Sequence, residues 1–228
     1  TMDPLCEKYY SVSPYAYCHN NPVNRIDPDG RDDYYSVGGQ FLFRDSKKTD
    51  RIIIRDLVSY STKQQGWEFG PNPDTPIEQT VLSAEAYSKI FTNILSEMKD
   101  VDIYLLHNQS VSVVVSPNDY DIESTFNDPY SAFSSEGVVN AATQHLNGVK
   151  KITACINYLG ASDNRKLFAT LSNVQNLLGV HEYIGHGVKG WSGSNHKLVY
   201  KNQFKHPSWK RTTGYFKRQE LSNYQKVK

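Results

Sequence analysis

Two histidines five residues apart, in His181-Glu182-Tyr183-Ile184-Gly185-His186, constrain this chain more than any other feature of it. On a regular α-helix residues i and i+5 point about 140° apart, whereas i and i+4 differ by only about 40°. If both imidazoles serve one centre, the helix carrying them must depart from α geometry. A one-residue π-bulge would do this, as would a final turn loosened at Gly185 and Gly187, whose backbones tolerate unusual dihedrals. The preceding residues predict that helix: Ser172-Asn173-Val174-Gln175 has the form of a capping box, and Val174, Leu177, Leu178 and His181 keep the spacing of an inward face.

The hexapeptide is one residue longer than H-E-x-x-H, in which two histidines bind zinc and the glutamate acts as general base. By that reading His181 and His186 are metal ligands, Glu182 is the base, and the ion is Zn2+. A catalytic zinc takes a third protein ligand and keeps a position open. Four of the seven histidines (His181, His186, His196 and His206) fall within residues 181–206. His196 ranks first as third ligand, because the Gly190-Trp191-Ser192-Gly193-Ser194-Asn195 turn can fold it back onto the helix. Glu220 and His206 are the alternatives, and Tyr200 or Tyr215 could stabilise an oxyanion. The competing reading leaves His181 as a hydrogen-bonded core residue and the others as exposed polar groups. The string resembles the H-E-x-x-G-H motif of the dipeptidyl-peptidase III family, in which both histidines bind zinc and the glutamate activates water. The resemblance covers six residues and implies a site rather than that family's fold.

A second segment is equally distinctive. Ser13-Pro14-Tyr15-Ala16-Tyr17, Asn20-Asn21-Pro22-Val23-Asn24 and Asp27-Pro28-Asp29-Gly30 closely resemble the end of the Rhs (rearrangement hotspot) repeat-associated core in its Bacteroidetes form. The resemblance covers residues 1–31. It implies an upstream β-cage of tyrosine- and aspartate-rich repeats, with residues 32–228 in the position of the variable C-terminal domain, often a toxin delivered to a competitor cell. It further implies a secreted or cell-surface effector and a cognate immunity protein. Asp27 falls in the region of the family's aspartyl self-cleavage, although Arg31 stands where family members carry an apolar residue. Read physically, the same segment is a linker, rich in proline, asparagine and tyrosine with turn signals at Asn21-Pro22 and Asp29-Gly30. Thr1-Met2 reads as mid-protein, so the chain is taken as part of a longer polypeptide and says nothing of a native signal peptide.

Residues 32–228 suffice for one substantial core. A formal net charge of +1 argues against a dedicated nucleic-acid binder, and the basic C-terminal stretch reads as a solvated helix face. Cys6, Cys18 and Cys155 are too scattered for a metal cluster or a disulfide framework. No apolar run approaches the roughly 18–20 residues of a membrane span.

Along the C-terminal domain, Tyr34–Phe43 and Arg51–Val58 predict a hairpin across Asp45-Ser46-Lys47-Lys48. Residues 84–99 predict an amphipathic helix burying Tyr87, Ile90, Phe91, Ile94, Leu95 and Met98. Strands follow at Val101–Leu106 and Val111–Val115, a helix at Glu136–Leu146 ended by Gly148, a strand at Lys151–Tyr158, the motif helix, and a last helix near 208–225. Without a βαβ rhythm the class is α+β. The order suits a zincin-like arrangement in which Lys151–Tyr158 pairs with an extended substrate. Three functional classes fit: a zinc metallopeptidase-like toxin acting on a protein or peptide in a target cell, a metal-dependent nuclease or other hydrolase using His196, His206 and the basic tail, and a non-catalytic tip that binds a receptor or partner.

Overall fold

The computed structural model describes residues 32–61, 66–69, 74–115, 140–156 and 164–227. It is α+β, with short strands and one long helix before residue 156 and helices following one another from Leu171 on. The Rhs-like segment with Asp27 lies outside the described residues.

Strands β1 (Asp33–Ser36) and β2 (Phe41–Arg44) form the first hairpin. β3 (Ile52–Arg55) then runs parallel to β1 and carries the short β6 (Thr75–Pro76) on its far side. The hairpin expected between residues 34–43 and 51–58 is therefore corrected: the chain reverses earlier, at Gly38-Gly39. Gly39 has φ 81°, and a Cβ there would lie 2.4 Å from the Ala86 carbonyl oxygen, so only glycine fits. β4 (Leu57–Ser61) and β5 (Gly66–Phe69) make a separate antiparallel pair.

α1 (Ala84–Ser96) forms where the apolar stripe predicts it, with Ser83 Oγ accepting from the Ala86 N–H. Tyr87, Ile90, Phe91, Ile94 and Leu95 are buried, and Phe91 stacks on Phe168 with ring centroids 5.2 Å apart. Each such side chain contributes about 1.5–3 kcal/mol of transfer free energy, which makes α1 the organising element of the core.

The sheet that supports the site is β7 (Ser112–Val114), β9 (Val149–Cys155) and β8 (Ala141–Leu146) in spatial order β7-β9-β8. β8 is a strand where a helix was expected. Asn147 (φ 51°) and Gly148 (φ 81°) close a two-residue hairpin, pairing Leu146 with Val149. The turn gives Ala141–Leu146 a partner strand, and that pairing outweighs its helix-favouring Ala-Ala-Thr-Gln composition. Residues 136–139 of the expected helix lie outside the described residues, as do 157 and 158 of the expected strand. Residues 101–106 do not form a strand. They make a 3₁₀ turn at Ile103–Leu105, with Asp102 capping it through the Tyr104 N–H.

α2 (Leu171–Val174) leads directly into a π-helix over Gln175–Val188. The N-cap is Thr170, whose Oγ1 accepts from the Asn173 N–H, two residues before the predicted Ser172. Asp50, in a left-handed conformation, accepts from the Leu171 and Ser172 amides through its carbonyl and carboxylate, each at 3.0 Å. A carboxylate at a helix N-terminus is favoured by the macrodipole, so the corner before β3 anchors the motif helix to the first sheet. The single helix expected near 208–225 is two, α4 (Pro207–Arg211) and α5 (Gly214–Lys226), broken at Thr212-Thr213. Before them stands α3 (His196–Lys205), which the periodicity did not predict. Among the described residues no helix is long and apolar enough to cross a membrane, and Cys155 is buried.

Candidate metal centre

The i→i+5 bonding of the π-helix resolves the awkward histidine spacing. In that geometry residues five apart share one face of the helix, and the His181 and His186 rings lie with centroids 5.1 Å apart, their planes tilted by 58°. The distortion expected here is thus present, but it spans Gln175–Val188 rather than one residue. The glycines serve a different purpose from the one expected. None of the three in the π-helix has positive φ, and each instead removes a side chain where a neighbour presses in. A Cβ on Gly179 would lie 2.4 Å from Met98 Sδ, one on Gly185 would lie 2.6 Å from Val199 Cγ1, and one on Gly187 would lie 2.8 Å from Lys150 Cδ.

The Gly185 contact matters most, because Val199 is on α3 and α3 begins at His196. Close approach of the two helices brings the third imidazole in. Between them Gly190 (φ 64°) and Gly193 (φ 53°) let the loop double back, so that the Trp191 N–H donates to the Gly185 carbonyl at 3.1 Å. The Trp191 carbonyl accepts from Nδ1 of His186. His181, His186 and His196 each offer a ligand nitrogen, all within 4.8 Å of one another. His181 Nε2 and His196 Nε2 are 3.2 Å apart. Two nitrogens on a tetrahedral zinc at about 2.0–2.1 Å stand about 3.4 Å from each other, so this pair has the required separation. Three imidazoles are a donor set that zinc accepts.

His196 is therefore the third member, and the two alternatives have other roles. His206 caps α4, its Nδ1 accepting from the Ser208 N–H at 3.2 Å. Glu220, on α5, is buried and accepts from Gln203 Nε2 at 2.8 Å, with its carboxylate 3.9 Å from His181 Nδ1. Of the two tyrosines, Tyr200 is at the site, stacked on His196 at 5.1 Å and edge-on to His181 at 4.7 Å. Tyr215 packs against the core beneath Lys166. Burial, then Glu220 and Glu182, push the Tyr200 phenol well up, so it is a hydroxyl donor at any physiological pH.

Glu182 is buried, and the hydroxyl of Thr143 on β8 donates to its Oε2 at 2.8 Å. Burial raises its pKa, while His186 and the Thr143 hydrogen bond act in the opposite direction. Burial, with Gln203 and Asn223 hydrogen bonds opposing it, pushes Glu220 up to about 7. His145, also on β8, makes a 3.2 Å contact through Nε2 with the His186 carbonyl. Thr143, His145 and Gln203 had no signature in the linear sequence. Gln203 would have been legible as the i+7 partner of His196 had α3 been recognised.

Burial dominates the imidazoles too. It holds His181 well below the ordinary histidine value, with His186 and His196 contributing and the Gln203 contact opposing. Burial and His186 bring His196 down to about 4. Both are neutral at pH 7, so neither has a proton to shed on binding a metal there. Apparent zinc affinity should then escape the fall of up to about a hundredfold per pH unit between pH 7 and pH 5 that protonation of two ordinary imidazoles at these positions would impose. Competition titration against a chromophoric chelator measures that slope.

Compared with protein-family models, with curated proteins and with solved structures, the chain shows no match.

Proposed function

We propose that residues 32–228 form a zinc-dependent peptide hydrolase with a zincin-like site, standing in the toxin position of an Rhs-type protein. The observation that carries the reading is the convergence of His181, His186 and His196 beside the buried carboxylate of Glu182. A purely structural zinc site has no use for a neighbouring base, and phosphodiester chemistry recruits more carboxylates than are gathered here. His206, which a nuclease reading would enlist, is occupied as a helix cap.

When bound, zinc supplies Lewis acidity toward a carbonyl and toward water. The chain's own groups do the rest. Thr143 holds one oxygen of Glu182 and leaves the other to take a proton from the attacking water and pass it to the departing amine. Tyr200, kept protonated, supplies a hydroxyl within the ring cluster. An extended peptide is best received by β8. Contrary to expectation, β9 is the central strand of its sheet, with both edges paired, whereas β8 is an edge among the described residues and packs against the π-helix. Adding a strand there would lay the substrate backbone beside Thr143 and the histidines.

The test is to incubate zinc-loaded protein with an unbiased peptide mixture and to read new termini by mass spectrometry. Cuts that disappear with 1,10-phenanthroline and return with zinc are expected. A protein that carries zinc and makes no chelator-sensitive cut would turn the centre into a structural one.

A further inference from the structure

His181 is held from behind as well as from the front. Its Nδ1 is 2.9 Å from Gln203 Oε1, and Gln203 Nε2 donates to Glu220 Oε2 at 2.8 Å. The three residues come from the π-helix, α3 and α5, and all are at least 95 % buried. Glu220 is also approached by Asn223 Nδ2 at 3.4 Å, so two amide donors converge on its carboxylate. At 3.9 Å from His181 Nδ1 the carboxylate is too far to accept directly, and the amide spans the gap.

An amide has one acceptor end and one donor end, so anchoring one end dictates the other. With Glu220 accepting, Gln203 must turn its NH₂ toward α5 and its carbonyl toward His181. That carbonyl can only accept, so His181 must carry its proton on Nδ1. Nε2 is then a bare lone pair, and the 3.2 Å contact with His196 Nε2 is satisfied by His196 donating. In the opposite tautomer a bare Nδ1 would face a carbonyl oxygen across 2.9 Å, two acceptors with no proton between them.

We infer that Gln203 and Glu220 are positioning residues for the metal centre: the Glu220 carboxylate orients the Gln203 amide, and the amide holds His181 as the Nδ1–H tautomer that presents a bare Nε2 to the ion. The inference rests on the metal reading of the three histidines. It gives the C-terminal helix α5 a part in a centre to which it contributes no ligand. It also makes α3 bifunctional, because His196 and Gln203, seven residues apart, lie on one face, one bound for the metal and one set behind the first ligand. Partners of this kind typically change metal affinity by about 10–100-fold when removed.

The experiment uses the full chain labelled with ¹⁵N-histidine and stripped of metal, with His181 assigned by its loss in His181→Ala. Long-range ¹⁵N–¹H correlation should show His181 as Nδ1–H in the wild type and Nε2–H as its major form in Gln203→Met. Zinc affinity should fall by about 10–100-fold in Gln203→Met. It should return to within about threefold of wild type in the exchanged double variant Q203E/E220Q, where a carboxylate again accepts from Nδ1–H and an amide again donates to it. An Nε2–H tautomer in the wild type overturns the inference, as does a double variant no tighter than Gln203→Met. If Gln203→Met does not fold, the wild-type spectrum and the double variant decide. A wild type with Nδ1–H that binds no zinc supports the relay and overturns the metal reading.

Discussion

His181→Ala is expected to leave the chain without metal. Purified wild type, dialysed against metal-free buffer and measured by mass spectrometry, should retain about one zinc per chain, and the variant less than about a tenth of that. Structural zinc is held by about 10–16 kcal/mol in small domains at neutral pH, so one protein ligand of three carries several kcal/mol and its loss lowers affinity by about a thousandfold or more. His181 is the most severe of the three positions. It is 5 % exposed and close to both other imidazoles, and no other nitrogen in the π-helix can replace it. The substitution also removes the partner of Gln203 Oε1, which costs about 1–3 kcal/mol for an unsatisfied buried acceptor. A folding control is therefore part of the result. Zinc at about 100 times its Kd should stabilise the wild type by about 2.7 kcal/mol and leave the variant's melting temperature unmoved. Wild-type protein that stays metal-free after zinc is added back would return the histidines to the role of core and surface residues.

The parts of this centre visible in sequence are those set by spacing along one element. The five-residue interval demanded a widened helix, and the stripe Val174, Leu177, Leu178 and His181 is buried as that interval requires. The stripe of α1 was equally plain, since a long amphipathic segment with a serine cap leaves few alternatives. The misread elements are short, and their state is decided by a partner. Ala141–Leu146 favours helix locally and becomes a strand because Asn147-Gly148 folds it against Val149–Cys155. That dipeptide was the stronger signal. The break between α4 and α5 follows local capping: Thr213 Oγ1 accepts from the Phe216 N–H and starts a new helix where the charge pattern reads as continuous. Thr143 and Gln203 reach the site from 39 and 22 residues away in sequence, through packing that no periodicity encodes. The glycines were conspicuous, yet their purpose was not. Gly185 is there so that Val199 can approach, which becomes apparent only once α3 is seen to carry His196.

Glu182→Gln separates binding from chemistry. The amide has nearly the shape of the carboxylate and can still accept from the Thr143 hydroxyl, and Glu182 is not one of the three residues whose ligand atoms converge, so zinc content should equal that of wild type. Turnover on any peptide found to be cut should fall by about a thousandfold or more, because general-base assistance contributes about 10²–10⁴-fold and an amide cannot take a proton from water. Stability should move the other way. Burial raises the pKa of Glu182 in the fold above its ordinary 4.5, so the native state binds this proton more tightly than the unfolded state does. The stabilisation from that proton is complete below the unfolded value and is lost as pH rises through the folded one, leaving a buried charge at neutral pH. The glutamine variant carries no such charge. In metal-free protein its urea midpoint should match wild type near pH 4 and exceed it near pH 7, the difference growing with pH. A variant that loses zinc and stability together would show that Glu182 is part of the structural support of the helix, whereas one that keeps both and loses only turnover assigns it to the reaction.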